Sequence, residues 1–385
     1  MRRAALLLAV LLLLWPSPAW AAEGGADGEY RQLLESAQLS AEIEALDEAM
    51  GAYIEGFSLS SLWRQFMDGE RALDFRMILT AFLGLFCREA AGSGYILGQM
   101  LLMALFCLLL TLLKGSFAGR EVAQLSRWVV YMLLAVPLVT VFTTAMSTAR
   151  EAVLLIADFI YVLLPVMLPL LAAIGGGATV AAVNPALMFA LALLINLISN
   201  VVFPLIYFSA ILRLAGQLSP AFNVSKLAGL FKDIGMGLLS ICVTVFIGFL
   251  SLSGMAAAAM DGLAVKAAKS ASGAFIPLVG RSLADAMDSV LGTALVLKNL
   301  LGLAGAVIIL FICALPAIKI LVQVLLLRLT AALIQPLGED GLAEALSGVA
   351  ASTTQLFAVV AVCGLFAFFA VSLVVGAGNI TMMMR

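Results

Sequence analysis

From Tyr95 to the C-terminus the chain runs as long apolar blocks parted by short polar gaps. Blocks of 18 or more residues with few charges fit a hydrocarbon core of about 30 Å. The pattern predicts seven membrane-crossing helices, at 95–113, 128–149, 152–174, 186–212, 234–258, 300–322 and 356–377. Pro137, Pro165, Pro169, Pro204 and Pro316 fall inside them. Each removes a backbone donor, which a bundle tolerates when neighbours satisfy the freed carbonyl. Gly175-Gly176-Gly177 and Asn184-Pro185 bracket the expected turn between the third and fourth blocks. The fold class that follows is all-α: a polytopic transmembrane helical bundle with amphipathic interfacial or re-entrant helices.

The start of the chain is patterned differently. Met1-Arg2-Arg3 is followed by the apolar run 4–14 and then by a Pro-containing stretch ending Ala19-Trp20-Ala21. That is the layout of a secretory signal, with cleavage expected after Ala21. An uncleaved anchor is the alternative. In either case the next segment is exported.

Residues 22–76 hold 12 acidic side chains against four basic ones. Leu39, Ile43, Leu46 and Met50 share one helical face. Leu62, Trp63, Phe66 and Met67 make another apolar face beside Arg64, Asp68 and Arg71. This reads as an exported acidic helical segment, either interfacial with Trp63 at headgroup level or packed within a small domain. The run 77–87 is short for a span. It is either re-entrant or joined to the residues before it in a tilted helix. The division expected is a signal at 1–21, the acidic segment at 22–76 and a membrane domain at 77–385.

Within that domain, 261–299 is the longest stretch unlike plain membrane. Ile276-Pro277 and Gly280 mark a break, after which Ser282 is placed to cap a helix with Asp285 three residues on. Leu283, Met287, Val290, Leu291 and Ala294 form one face, away from Asp285, Asp288 and Ser289. Two amphipathic helices follow from this, lying on the membrane or dipping into it. Lys266, Lys269, Pro277, Gly280, Arg281, Asp285 and Asp288 are its candidate loop and partner contacts.

Charge inside the blocks is rare, so each instance matters. Asp158 lies well within the third block, where an ionisable group needs a partner or water. It is a candidate for a polar path, with a hydrogen-bonded helix-end carboxylate as the alternative. Asn196, Asn200 and Lys319 are the other candidates along such a path. Snorkelling accounts for Lys319 and Arg328, and cross-helix hydrogen bonding accounts for Asn184, Asn196 and Asn200.

Composition excludes several classes of function. The chain is 64% hydrophobic and 11% charged, against about a quarter charged for soluble domains. A net charge of −2 gives no basic footprint for nucleic acid. With no histidine, the commonest general base and most zinc sites are lost. Cys87, Cys107, Cys242, Cys313 and Cys363 all sit in apolar stretches and read as small packers. No GxxxxGK[ST] phosphate loop, nucleophile–base pair or cofactor fingerprint is present. No enzyme activity and no cofactor are therefore expected.

With an exported N-terminus, seven spans put the C-terminus in the cytoplasm. The loops 114–127 and 261–299, with their basic residues, would lie there too. Arg213, Lys226 and Lys232 would then lie outside, in conflict with the positive-inside rule. One span is miscounted, or that segment is not a simple loop.

Several strings resemble the stage III sporulation protein AE family of endospore-forming bacteria. They are KAAKSASGAFIPLVGRSLADAMDSV at 266–290, LKNLLGLAGAVIILFICALPAIKIL at 297–321, LTAALIQPLGED at 329–340 and GNITMMMR at 378–385. The resemblance spans nearly the whole chain and carries no catalytic residues with it. It implies a subunit of a multi-protein assembly in the mother-cell membrane around the forespore. That assembly would act as a channel or secretion-like machine supporting the forespore and late sigma-factor activity. The implied partners are other membrane subunits, including an ATPase in a separate chain, and the lipid bilayer. Segment 22–76 would face the intermembrane space. A stand-alone secondary transporter, or a scaffold that conducts nothing, are the competing readings.

Overall fold

The computed structural model describes residues 75–117, 120–173, 177–218, 224–246, 248, 279–337 and 340–383. Among them every regular element is helical. In chain order these are α1 (Phe75–Phe117), α2 (Arg120–Ala173), α3 (Gly177–Leu197), a π-helical turn (Ile198–Val202) and α4 (Phe203–Leu218). There follow α5 (Ser225–Phe246), α6 (Val279–Ile334), a 3-10 turn (Gln335–Leu337) and α7 (Asp340–Met383). The signal and nearly all of the acidic segment lie outside the described residues.

The apolar blocks are helical, but they are joined differently from the expectation. The blocks 128–149 and 152–174 are one continuous helix, because α2 runs unbroken for 54 residues. The polar run between them, TTAMSTARE at 143–151, reads as a gap in hydropathy. It contains neither Gly nor Pro, and Ala, Met, Arg and Glu favour helix. Its hydroxyls bond back to the helix itself. Thr143 donates to Val139 O at 2.9 Å, Thr144 to Thr140 O at 2.9 Å and Ser147 to Thr144 O at 2.9 Å. A polar stretch supplied with its own acceptors interrupts the apolar surface and leaves the backbone helical.

The same extension occurs elsewhere. Residues 77–87 continue forward into 95–113 within α1 instead of re-entering. The second half of 261–299 is no separate surface helix, since α6 runs for 56 residues from Val279 through the sixth block. Ser282 therefore lies inside a helix and not at its cap. Pro185 is likewise interior to α3, so Asn184-Pro185 is not the turn. At 1.5 Å per residue α2 and α6 are each above about 80 Å long, well beyond a bilayer core. Among the described residues five helices are long and apolar enough to cross a membrane, where seven spans were expected. They are Met132–Ala173, Pro185–Gly216, Ser225–Phe246, Leu301–Ile334 and Gly341–Gly376.

The π turn has a local cause. Pro204 has no N–H, and its ring crowds the carbonyl four residues back, at Asn200. The ladder widens there, and Phe203 N–H reaches Ile198 O instead.

The core is the α6–α7 hairpin, against which α2 packs along both members. Small residues let the backbones approach, the usual device where lipid offers no hydrophobic drive. Gly364 of α7 meets Cys313 of α6, and Gly302 of α6 meets Val375 of α7. A Cβ on Gly305 would stand 2.6 Å from Leu163 Cδ2 of α2. α5 is fixed to α4 by Ser209 Oγ donating to Ala228 O at 2.8 Å. It is fixed to α7 by Phe246 stacked on Phe366, with centroids 3.7 Å apart.

Candidate functional site

The expected path residues are not gathered in the interior. Asp158 is exposed on the outer face of α2. Asn196 and Asn200 are exposed beside the π turn and satisfy one another locally. Asn200 Nδ2 donates to Asn196 Oδ1 at 3.2 Å, and Asn196 Nδ2 donates to Ala192 O at 3.0 Å. Both bonds lie within one rod, so the cross-helix role expected of them is not what they perform. Lys319 is half-buried on α6 and already has a partner. Lys266, Lys269 and Pro277 fall outside the described residues. Gly280, Arg281, Asp285 and Asp288 lie in the first turns of α6.

The polar groups that are buried were mostly missed by the sequence reading. They are Ser93 on α1, Ser209 on α4, Lys298, Gln323 and Thr330 on α6, and Ser352, Thr353 and Gln355 on α7. An amide in an otherwise apolar run was the available signal for Gln323, in LVQVLLL, whereas Gln355 follows the polar run Ser352-Thr353-Thr354. Ser93, Gln323 and Thr330 line one small cavity with Met100, Val141, Leu326 and Leu327. Close by along the hairpin, Arg328 Nη2 meets Thr354 Oγ1 at 3.5 Å.

The buried hydroxyls of α6 and α7 are closed on their own helices. Thr330 donates to Leu326 O at 2.7 Å, Thr353 to Val349 O at 2.9 Å and Thr354 to Ala350 O at 2.7 Å. By contrast, Gln323 Oε1, both amide atoms of Gln355, Asn299 Oδ1 and Arg213 Nε are buried without partners. Arg213 lies over Gly348, where an added Cβ would stand 3.7 Å from its stem. Lys298, just ahead of the span Leu301–Ile334, is fully buried and donates to Val375 O at 2.8 Å. Burial pushes its ammonium from 10.5 down to about 8.

The outer face of α2 is the reverse of the interior. Thr140, Thr144, Ser147, Glu151, Leu154 and Asp158 are all exposed and recur by alternating steps of four and three. Val136, Thr143, Arg150 and Tyr161 flank them, exposed as well. At 3.6 residues per turn the set occupies about a third of the circumference and about 27 Å from Thr140 to Asp158. It lies wholly within the apolar span Met132–Ala173. The seam presents polar groups within an apolar span, and its hydroxyls donate to carbonyls of their own helix. Among the described residues no group of three His, Cys, Asp or Glu side chains could hold a metal ion.

Comparison with known proteins bears on the chain as a whole. The sequence model of the family described as Stage III sporulation protein AE matches residues 57–378. A curated relative, Stage III sporulation protein AE of Bacillus subtilis (strain 168), is 35% identical over 321 residues. That match covers 83% of this chain and 80% of the relative. No solved structure matches. A helical membrane bundle matched by the family model from before α1 to within α7 is therefore a member of the stage III sporulation protein AE family.

Proposed function

We propose that this chain is a membrane subunit of a channel or secretion-like assembly between mother cell and forespore. In this reading it sits in the mother-cell membrane, with its mature N-terminus exported. It acts with other membrane subunits and with an ATPase carried on a separate chain. It sustains the forespore and late sigma-factor activity, and performs no catalysis itself. Family membership supports the sporulation context. The observation that carries the subunit role is the exposed polar seam of α2, from Thr140 to Asp158, inside an apolar span. A charged group facing hydrocarbon costs about 3 kcal/mol on insertion scales, so a face bearing Arg150 and Asp158 is suited to protein contact.

A stand-alone permease has one feature in its favour. The π turn at Ile198–Val202 interrupts a long membrane helix, as substrate-binding helices of transporters are interrupted. A non-conducting scaffold is favoured instead by the self-satisfied interior hydroxyls.

Deletion of the gene in its sporulating host separates these readings. Normal engulfment followed by collapsing forespores without late gene expression is the result expected of a channel subunit. Normal spores with a defect in growth on a solute would overturn it in favour of the permease. Complementation with Asp158→Ala is expected to restore sporulation less well than Asp68→Ala at equal protein level. Equal restoration would remove Asp158 from the mechanism.

A further inference from the structure

Resting on the reading of this chain as a subunit of an assembly, the geometry of α2 points to the chemistry of what covers its outer face. We propose that the seam from Thr140 to Asp158 docks a transmembrane helix of a different chain. That helix carries an acidic side chain at the depth of Arg150 and a basic one at the depth of Asp158. The two partner positions are about two turns, or 12 Å, apart.

Three observations lead there. The seam Thr140, Thr144, Ser147, Glu151, Leu154, Asp158 repeats every three and four residues. Those steps average 3.6 residues, the period of a straight α-helix, so the six positions stay on one stripe that a neighbouring helix can lie along. Its upper part is built of small hydroxyl residues that let helices approach closely. Their donors are met by their own helix, including Thr140 to Val136 O at 3.0 Å, so they need no water. The second observation is charge. Glu151 is already engaged within the chain. Arg150 and Asp158 are exposed, and among the described residues no ion pair reaches either. The third is length. Val129, Met132, Leu133, Val136, Val139, Leu154 and Tyr161 expose apolar surface on α2 over about 48 Å, more than one hydrocarbon core covers.

A second copy of this chain fits poorly. Copies inserted with one orientation meet at equal depth, so face-to-face pairing sets Arg150 against Arg150 and Asp158 against Asp158. Like charges in a medium of low dielectric repel strongly. A heterologous helix with the reversed pair of charges satisfies both ends at once.

Photo-crosslinking in sporulating cells tests this, with a benzophenone side chain placed in the full chain at Thr144 or Ser147. Phe189, exposed on α3, serves as the control position. The expected result is an adduct at Thr144 and Ser147, absent at Phe189. Mass spectrometry should map it to a membrane helix of another protein bearing an acid and a base two turns apart. Arg150→Glu should abolish the adduct, and reversing the partner's acid should restore it. Arg150→Gln, judged at equal accumulated protein, guards against misfolding by the full reversal. An adduct with a second copy, with lipid alone, or with a helix lacking those charges overturns the proposal. Because the deletion phenotype is scored separately, a complementing chain without the adduct removes this inference and leaves the subunit reading standing.

Discussion

Lys298 Nζ donates to the carbonyl of Val375 across the α6–α7 hairpin, 2.8 Å away and 77 residues along the chain. The lysine is buried outright, yet its partner is a neutral carbonyl and not a carboxylate. Burial therefore lowers its affinity for a proton to about 8 from 10.5. The folded state then holds fewer protons than the unfolded state between those two values. Folding stability rises with pH across that window, and is insensitive to this group below it. The thermal midpoint of the detergent-purified protein should increase from pH 7.5 to pH 9.5. Lys298→Met should flatten that increase. An unchanged slope in the variant would show that Lys298 does not carry it.

Gly364 and Cys313 meet in close contact within the same hairpin. Gly364→Ala puts a methyl group into the Cys313 thiol, and overpacking of this kind costs about 1–3 kcal/mol. Gly364→Ala combined with Cys313→Gly should recover part of that loss, because the second change removes both the sulfur and the Cβ, which would stand 2.8 Å from the new methyl group. A double-mutant cycle on thermal unfolding reads the coupling. Additive losses would mean that the two residues do not meet.

Gln355 buries both amide atoms without a partner. Leaving such groups unmet costs about 1–3 kcal/mol, and an apolar side chain of similar size removes the cost. Gln355→Leu should raise the thermal midpoint, whereas Gln355→Ala should lower it by opening a cavity. A lower midpoint for the leucine variant would indicate that the amide is satisfied in the membrane. Loss of sporulation by a stabilised leucine variant would give the amide a functional role.

Continuity of α2 changes the expected sidedness. If α1 and α2 each cross once and the N-terminus is exported, Arg213, Lys226 and Lys232 fall on the cytoplasmic side, where basic residues are preferred. The segment 261–299 then falls on the exported side. Cysteines placed at Lys226 and Lys269 in an otherwise cysteine-free chain should label from opposite sides. Impermeant maleimide in intact cells is expected to reach the Lys269 position only. Labelling of Lys226 alone would mean that α2 crosses twice or that α1 does not cross.

The sequence located the helices better than it located their joints. Apolar blocks report burial in lipid or protein, and every one of them is helical where described. Thr143 to Glu151 reads as a gap because hydropathy measures side chains, while helix continuity depends on backbone partners. The helix expected to start at Ser282 starts instead at Val279, next to Gly280, and runs without a second boundary into the sixth block. Asp158 was correctly singled out as costly, but a single charge gives no helical phase by itself. Its outward direction emerges only once Ile156, Ala157, Phe159 and Ile160 are seen buried around it. Gln323 was legible as a polar position in an apolar run. Its place beside Ser93 and Thr330 depends on which helices pair, and no local pattern encodes that.

The widened turn at Ile198–Val202 holds one residue more than an α-helix needs there. Removing a single residue from it would tighten the ladder and force the Pro204 ring against the carbonyl four residues before it. Every side chain beyond it would also rotate by about 100°. Ser209 would swing away from Ala228 O, and Arg213 would leave Gly348. Phase along α4 is thus set by a count, and a one-residue deletion at this place would do more harm than most substitutions.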